Sequence, residues 1–269
     1  MKKSVVSSSR VKWPHQAHSL ATRGGPFLFM SGQLALAEES GNPIRDYTDL
    51  RGAPPYPALG QMASDSWEAP TLSQASTIYD QMGTLLEEQG ASPDDLLFYC
   101  IYLKEFRYFP LIARHRAKRF APKLAPPSTG AQVPAFSLPE SVALFDPIGA
   151  VPDNDGGSSK LEALTAKALD NTPLSNYQLG ARLGPYLFFA GVVGAVPETG
   201  KIIYSDRDLE DVDWPKLKGS LALHEIEGPV SAQAWFILNL YEKMLEEMGS
   251  GLENILKINV YICNMRDLP

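Results

Sequence analysis

Two cysteines in 269 residues are too few to staple a domain. No run of about 18 apolar residues is present to cross a bilayer. The opening MKKSVVSSSRVKWP carries two lysines but no apolar core of signal-peptide length. A cytoplasmic protein with buried free thiols at Cys100 and Cys263 is the expectation. A basic surplus is missing as well: the net charge is −7. That argues against a general nucleic-acid or anionic-membrane surface, so neither partner is expected. There is no P-loop and no G-x-G-x-x-G, so nothing calls for a nucleotide cofactor. The four histidines, His15, His18, His115 and His224, form no metal-ligand pattern. No cofactor and no metal are expected.

What is present is a repeat. Residues 25–110 recur at 184–269 with a constant shift of 159 and no gap, and 25 of the 86 aligned pairs are identical. That is about five times what chance pairing of ordinary compositions gives, so the chain holds two copies of one unit. GPFLFMSGQ answers to GPYLFFAGV, LLEEQG to MLEEMG, and IYLKEFRYFP to VYICNMRDLP. The 44% hydrophobic and 20% charged fractions are those of globular domains.

Each copy reads the same way. A short apolar run between glycines (Phe27–Met30; Tyr186–Ala190) predicts a strand, and Ser40-Gly41-Asn42-Pro43 or Thr199-Gly200-Lys201 predicts a hairpin turn. Ala75, Ile78, Tyr79, Met82, Leu85 and Leu86 lie on one helix face, closed by Gly90. Ala234, Ile237, Leu238, Tyr241, Met244 and Leu245 repeat the face, closed by Gly249. Strands are expected next, at Leu96–Leu103 and Ile255–Cys263. Between turn and helix each copy holds a long insertion, 45–70 with Trp67 and 204–229 with Trp214, of the kind that forms lids or interface arms.

Only copy one continues. Ala113, Ala117, Phe120 and Leu124 predict a second helix ended by Pro126-Pro127, with strands near 131–136 and 142–151. The cluster Arg114–Arg119 is expected on that helix's solvated face. The result is an α+β domain with helices on one face of a mixed sheet. The expected layout is domain one at 1–152, a linker and short helix at 153–169 (the helix over 160–169), and domain two at 170–269. A full second copy would run to about residue 310 by the repeat shift. The strand at 255–263 and the helix at 232–248 are therefore expected to lack neighbours, as in a fragment or a chain covered by another protomer.

FLFMSGQLAL (27–36), LLEEQGASPDDLL (85–97), YCIYLKEFRYFP (99–110) and SLPESVALFDPIGAV (137–151) resemble the Rid superfamily, YjgF/YER057c/UK114, which older names call endoribonuclease L-PSP. The resemblance implies two tandem chorismate-mutase-like domains and small-molecule sites in clefts between subunits. It implies hydrolysis or deamination of a reactive enamine, imine or related C–N substrate. The family domain assembles as a trimer. Two tandem domains cannot close that ring alone, so a homo-oligomer is expected, most simply a trimer of two-domain chains.

The resemblance also implies the site. Ser31 matches the family serine, with Gly32 and Gln33 beside it, and Asp146 matches the acid that orients a water. Ser31 is equally readable as the cap of the turn at Gly32. Asp146 is readable as a proton carrier raised by desolvation or as an acid bonded at a strand end. The family tyrosine falls at His18 in copy one and at Tyr177 in copy two. The family arginine that grips a substrate carboxylate is absent from Pro127-Ser128-Thr129-Gly130-Ala131-Gln132, where Thr129 or its neighbour replaces it. A neutral hydroxyl cannot replace a guanidinium fork. The candidates are thus Asp146, Ser31 and Thr129 as catalytic groups, and Tyr177, His18, Gln33, Gln132 and Gly32 as substrate contacts. A composite site, with Tyr177 on a wall of its own, is chemically consistent with each copy having lost different parts. The alternative is a binding or assembly protein of the same fold.

Overall fold

The computed structural model describes residues 3–11, 18–37, 39–50, 68–152, 161–165, 177–209 and 228–267. The linker at 153–159 and the Trp67 and Trp214 insertions lie outside these residues. The chain divides into two compact units, Met1–Leu164 with Asn176–Gly191 and Thr165–Ser175 with Val192–Pro269.

The first unit is built on a six-stranded sheet. Its strands are β1 (Lys3–Val6), β2 (Ala21–Gly24), β3 (Phe27–Met30), β4 (Leu96–Leu103), β5 (Ser128–Gln132) and β6 (Ala143–Ala150), in the order β1-β2-β3-β6-β4-β5. Only β4–β5 is parallel. Two helices, α1 (Glu68–Glu87) and α2 (Phe109–Phe120), belong to the same unit. The apolar stripe of α1 does what its spacing predicts. Ile78, Tyr79, Met82, Leu85 and Leu86 are buried with Tyr99, Ile101 and Leu103 of β4, Ala143 and Phe145 of β6, and Ile112 and Phe120 of α2. Gly90, at φ +77°, closes α1, and Ala91 N–H donates to Leu86 O at 3.0 Å.

The other sheet face is covered from copy two. Strands β7 (Leu161–Leu164), β8 (Gly180–Leu183) and β9 (Tyr186–Phe189) form an antiparallel three-stranded sheet. Ala181 and Leu183 pack with Phe27, Leu97 and Ala150, and Tyr186 sets its ring edge-on to Phe27 at 5.1 Å.

The second unit holds helix α3 (Gly228–Glu247). Local geometry recurs there at the repeat spacing. Gln74 Nε2 donates to Ile44 O at 2.8 Å, and Gln233 Nε2 to Ile203 O at 2.8 Å. Gly249 (φ +73°) ends α3 as Gly90 ends α1, with Ser250 N–H on Leu245 O.

Four expectations are corrected. The segment 161–164 is a strand and not part of a helix, because it pairs with β8 as β1 pairs with β2. Residues 255–262 form no strand: among the described residues none pairs with them as β5 and β6 pair with β4, and Leu256, Ile258 and Val260 are exposed. Cys263 is exposed with that segment, while Cys100 is buried. Helix α2 stops at Phe120, short of Pro126, and β5 begins at Ser128, where an extended pre-proline segment leads directly into pairing with Tyr99. Among the described residues no helix is long and apolar enough to cross a membrane.

Candidate functional site

The start of β5 holds Thr129, one of the residues the sequence singled out. Ser128 lies opposite Tyr99, and Thr129 opposite Cys100. Ser128 is on the helix side, since its register partner Tyr99 belongs to the core beneath α1. Thr129 therefore faces the other way. Cys100 in turn lies opposite Asp146, so Thr129, Cys100 and Asp146 form one row across β5, β4 and β6. Two strand spacings, about 10 Å, separate Thr129 from Asp146. Asp146 is exposed.

Arg116 reaches Ser128 from helix α2. Its side chain is among the most buried in the protein, 1% exposed, and Nη1 donates to Ser128 Oγ at 2.5 Å. The guanidinium carbon lies 4.8 Å from the ring centre of Tyr177 and 6.0 Å from that of Phe109. Tyr79 and Tyr99 share a hydroxyl–hydroxyl bond of 3.0 Å, and burial holds both phenols above their ordinary pKa. Burial raises Tyr177 too, opposed by the Arg116 charge. The tyrosines around the guanidinium are therefore neutral at physiological pH. His115, beside Arg116, is pushed down to about 4, first by burial and then by the cation of Arg119.

The basic cluster is thus not wholly a solvated face: His115 and Arg116 are buried with Ile112 and Phe120. The spacing 112, 115, 116, 120 is itself a helical stripe. Choosing Ala113 and Ala117 as the inward face turned the helix by about 100° and put Arg116 outside. The stripe through Ile112 was the signal that could have found it.

Tyr177 arrives through copy two. It bridges Ala125 in parallel, Gln178 N–H donates to Ala125 O at 2.7 Å, and Gln178 Nε2 donates to Leu124 O at 3.1 Å. Gly191 N–H donates to Ser128 O at 3.3 Å, and a Cβ at Gly191 would overlap the Thr129 side chain. Phe106 and Phe109 stack at 4.9 Å over Gly130, where a Cβ would come within 2.8 Å of the Phe109 ring. So the structure brings together Tyr177, Ser128 and Arg116, with Thr129 next along β5 on the opposite sheet face against Gly191.

The other candidates lie elsewhere. Ser31 Oγ donates to Ser19 O at 2.6 Å. Gln33 is buried, donates from Nε2 to Ser31 O at 2.6 Å, and pairs with Phe145 through its backbone. Gly32 sits against Leu144, where a Cβ would come to 3.0 Å from a methyl carbon. His18 is exposed. Gln132 Oε1 accepts from Phe106 N–H at 3.1 Å. No group of acidic, histidine or cysteine side chains suited to a metal occurs among the described residues.

No family model matches the chain. It is 23% identical over 95 residues to a RutC family protein of Pyrococcus abyssi, a match that covers 35% of this chain and 57% of that relative's length. Solved structures with similar coordinates include a putative endoribonuclease of Klebsiella pneumoniae (22% identity, 50% of this chain, all of that one, TM-score 0.45). A Rid-family protein of Yersinia pestis is another (15% identity, 56% of this chain, all of that one, TM-score 0.44). The mixed sheet with helices is an α+β domain. The RutC match, with the motifs at 27–36, 85–97 and 137–151, supports membership of the Rid superfamily.

Proposed function

We propose that the chain is a Rid-like hydrolase or deaminase acting on a small enamine, imine or related C–N substrate. The site is composite: Ser128 and Arg116 come from copy one and Tyr177 from copy two, and Thr129 shares the opposite face of the sheet with Asp146. The observation that carries this reading is the Tyr177 ring at 4.8 Å from the Arg116 guanidinium, beside the Ser128 hydroxyl. A cation, a hydroxyl and a phenol converging beside the Phe109 ring suit a polar planar molecule of few atoms. Asp146, in the row of Thr129 and Cys100, is the residue assigned to orient water. Ser31, Gly32 and Gln33 support the adjoining turn, and His18 and Gln132 are assigned to its rim. The chain works as a homo-oligomer, most simply a trimer, which light scattering at micromolar concentration tests.

Ammonia release from enamine-generating mixtures is the direct assay. Turnover is expected to fall at least tenfold in Asp146→Asn and in Thr129→Val. Unchanged turnover in both would remove the assignment. One observation favours the second reading, a binding protein of the same fold: Asp146 lies on the sheet face opposite Ser128. On that reading ligand binds and no ammonia appears.

A further inference from the structure

Residues 255–262 carry the alternation of a strand, with no strand pairing among the described residues. Leu256, Ile258, Val260 and Ile262 fall on one side of that alternation, and Ile255, Lys257, Asn259 and Tyr261 on the other. Leu256, Ile258 and Val260 are 85%, 52% and 69% exposed. Such an edge is a template for another strand, and it lacks the usual devices that blunt one. It holds no proline, and its one charge, Lys257, lies off the apolar row. The repeat says which way a neighbour runs. Ile258, Val260 and Ile262 stand at the positions of Tyr99, Ile101 and Leu103 of β4. In copy one these belong to the core beneath α1, and β6 runs antiparallel beside them, with Phe145 opposite Ile101 and Ala143 opposite Leu103. Ile237 and Leu238 of α3, counterparts of the buried Ile78 and Tyr79, are half-exposed, so copy two has apolar helix surface to be covered as well.

The segment is complementary to itself. One antiparallel register sets Ile258 opposite Val260 of a second copy and Leu256 opposite Ile262, so all four apolar residues meet apolar residues. Sliding by two residues in either direction sets Asn254 or Asn264 against one of them. On the other side Asn259 meets Asn259 and Lys257 meets Tyr261, so no like charges stand opposite each other. We propose that residues 255–262 are the dimerisation edge of copy two, where a second copy of this chain adds the same segment antiparallel about a two-fold axis at Asn259, in the place that β6 holds beside β4. An isologous contact of this kind closes at two chains, which satisfies the edge without building a fibre. It doubles whatever mass association through copy one sets.

The test uses the full chain with Cys263→Ser, so that position 263 contributes no thiol. Asn259→Cys in that background places two cysteines directly opposite, with Cα atoms about 5 Å apart, within disulfide reach. Lys257→Cys places them four residues apart along the strands, about 13 Å. Mild oxidation should join Asn259→Cys into a band of twice the chain mass at least tenfold faster than Lys257→Cys. Val260→Lys, at an exposed position, should halve the mass read by light scattering at micromolar concentration, with the circular dichroism unchanged. That halving is expected whether the wild-type chain is a dimer or a larger assembly. Equal cross-linking rates at 257 and 259 would overturn the proposal, as would an unchanged mass in a folded Val260→Lys. An unchanged mass together with binding of a synthetic peptide of residues 142–151, lost in Val260→Lys, would give the edge to a foreign strand and overturn the self-pairing.

Discussion

The two copies share a local grammar and differ in what they bury. The turn at Gly41 recurs at Gly200, with φ of 68° and 69°, and the helix stop at Gly90 recurs at Gly249. The carboxylate of Asp49 accepts the Arg45 N–H at 2.8 Å, and that of Asp208 accepts the Tyr204 N–H at 3.1 Å. Yet Ile78 of α1 is fully buried, whereas its counterpart Ile237 of α3 is half-exposed. Gln74 joins Ile44 O to Glu140 O and to the N–H groups of Val142 and Ala143. Its counterpart Gln233 donates to Ile203 O. Short-range sequence sets turns, caps and helix stripes, and long-range partners decide which of them become core.

The sharpest way to break this comparison is a matched pair of truncations. Ile78→Ala should cost about 3 kcal/mol of stability by urea denaturation, and Ile237→Ala under about 1 kcal/mol. Equal costs would mean that α3 is packed as tightly as α1. Next, Gln74→Ala should cost roughly 2–3 kcal/mol, because it strips buried N–H groups at the start of β6, against about 1 kcal/mol for Gln233→Ala.

A pH series tests copy one by itself, since His115 has no counterpart in copy two. His115 titrates near 4 in the folded chain against about 6.5 unfolded. The unfolded state therefore takes up the proton first as pH falls. Stability should decline from pH 6.5 to pH 4, by up to roughly 3 kcal/mol, and His115→Gln should flatten that slope. The smallest effect belongs to copy two. Lys201 leads the groups that hold Asp208 down to about 2, backed by the backbone N–H of Tyr204. Its contribution is present above the ordinary carboxylate range and lost as pH falls through about 2. Lys201→Ala should move the Asp208 carboxyl back toward its usual value, read by its carbon chemical shift.

Most of the fold was legible because it is local. The strand at 27–30, the stripe of α1 and the glycine stops at Gly90 and Gly249 follow from spacing and from φ. The segments 161–164 and 255–262 were misread because pairing, not propensity, decides them. Leu161–Leu164 carries a helix-tolerant sequence but finds β8, while 255–262 reads as β-rich and finds no partner among the described residues. The resemblance marked Thr129 and Tyr177, and the ring of Tyr177 lies beside Arg116. Arg116 stayed hidden because a charge inside a run of charges looks solvated until its helix is given the right rotation.

The central claim is that copy two completes the site of copy one, through Tyr177 on Arg116. A double-mutant cycle measures this directly, using Arg116→Lys, Tyr177→Leu and the pair, each followed by urea denaturation at pH 7. The account predicts a coupling of about 1 kcal/mol, the size of a desolvated guanidinium on an aromatic ring. Strictly additive losses, with a coupling indistinguishable from zero, would contradict it.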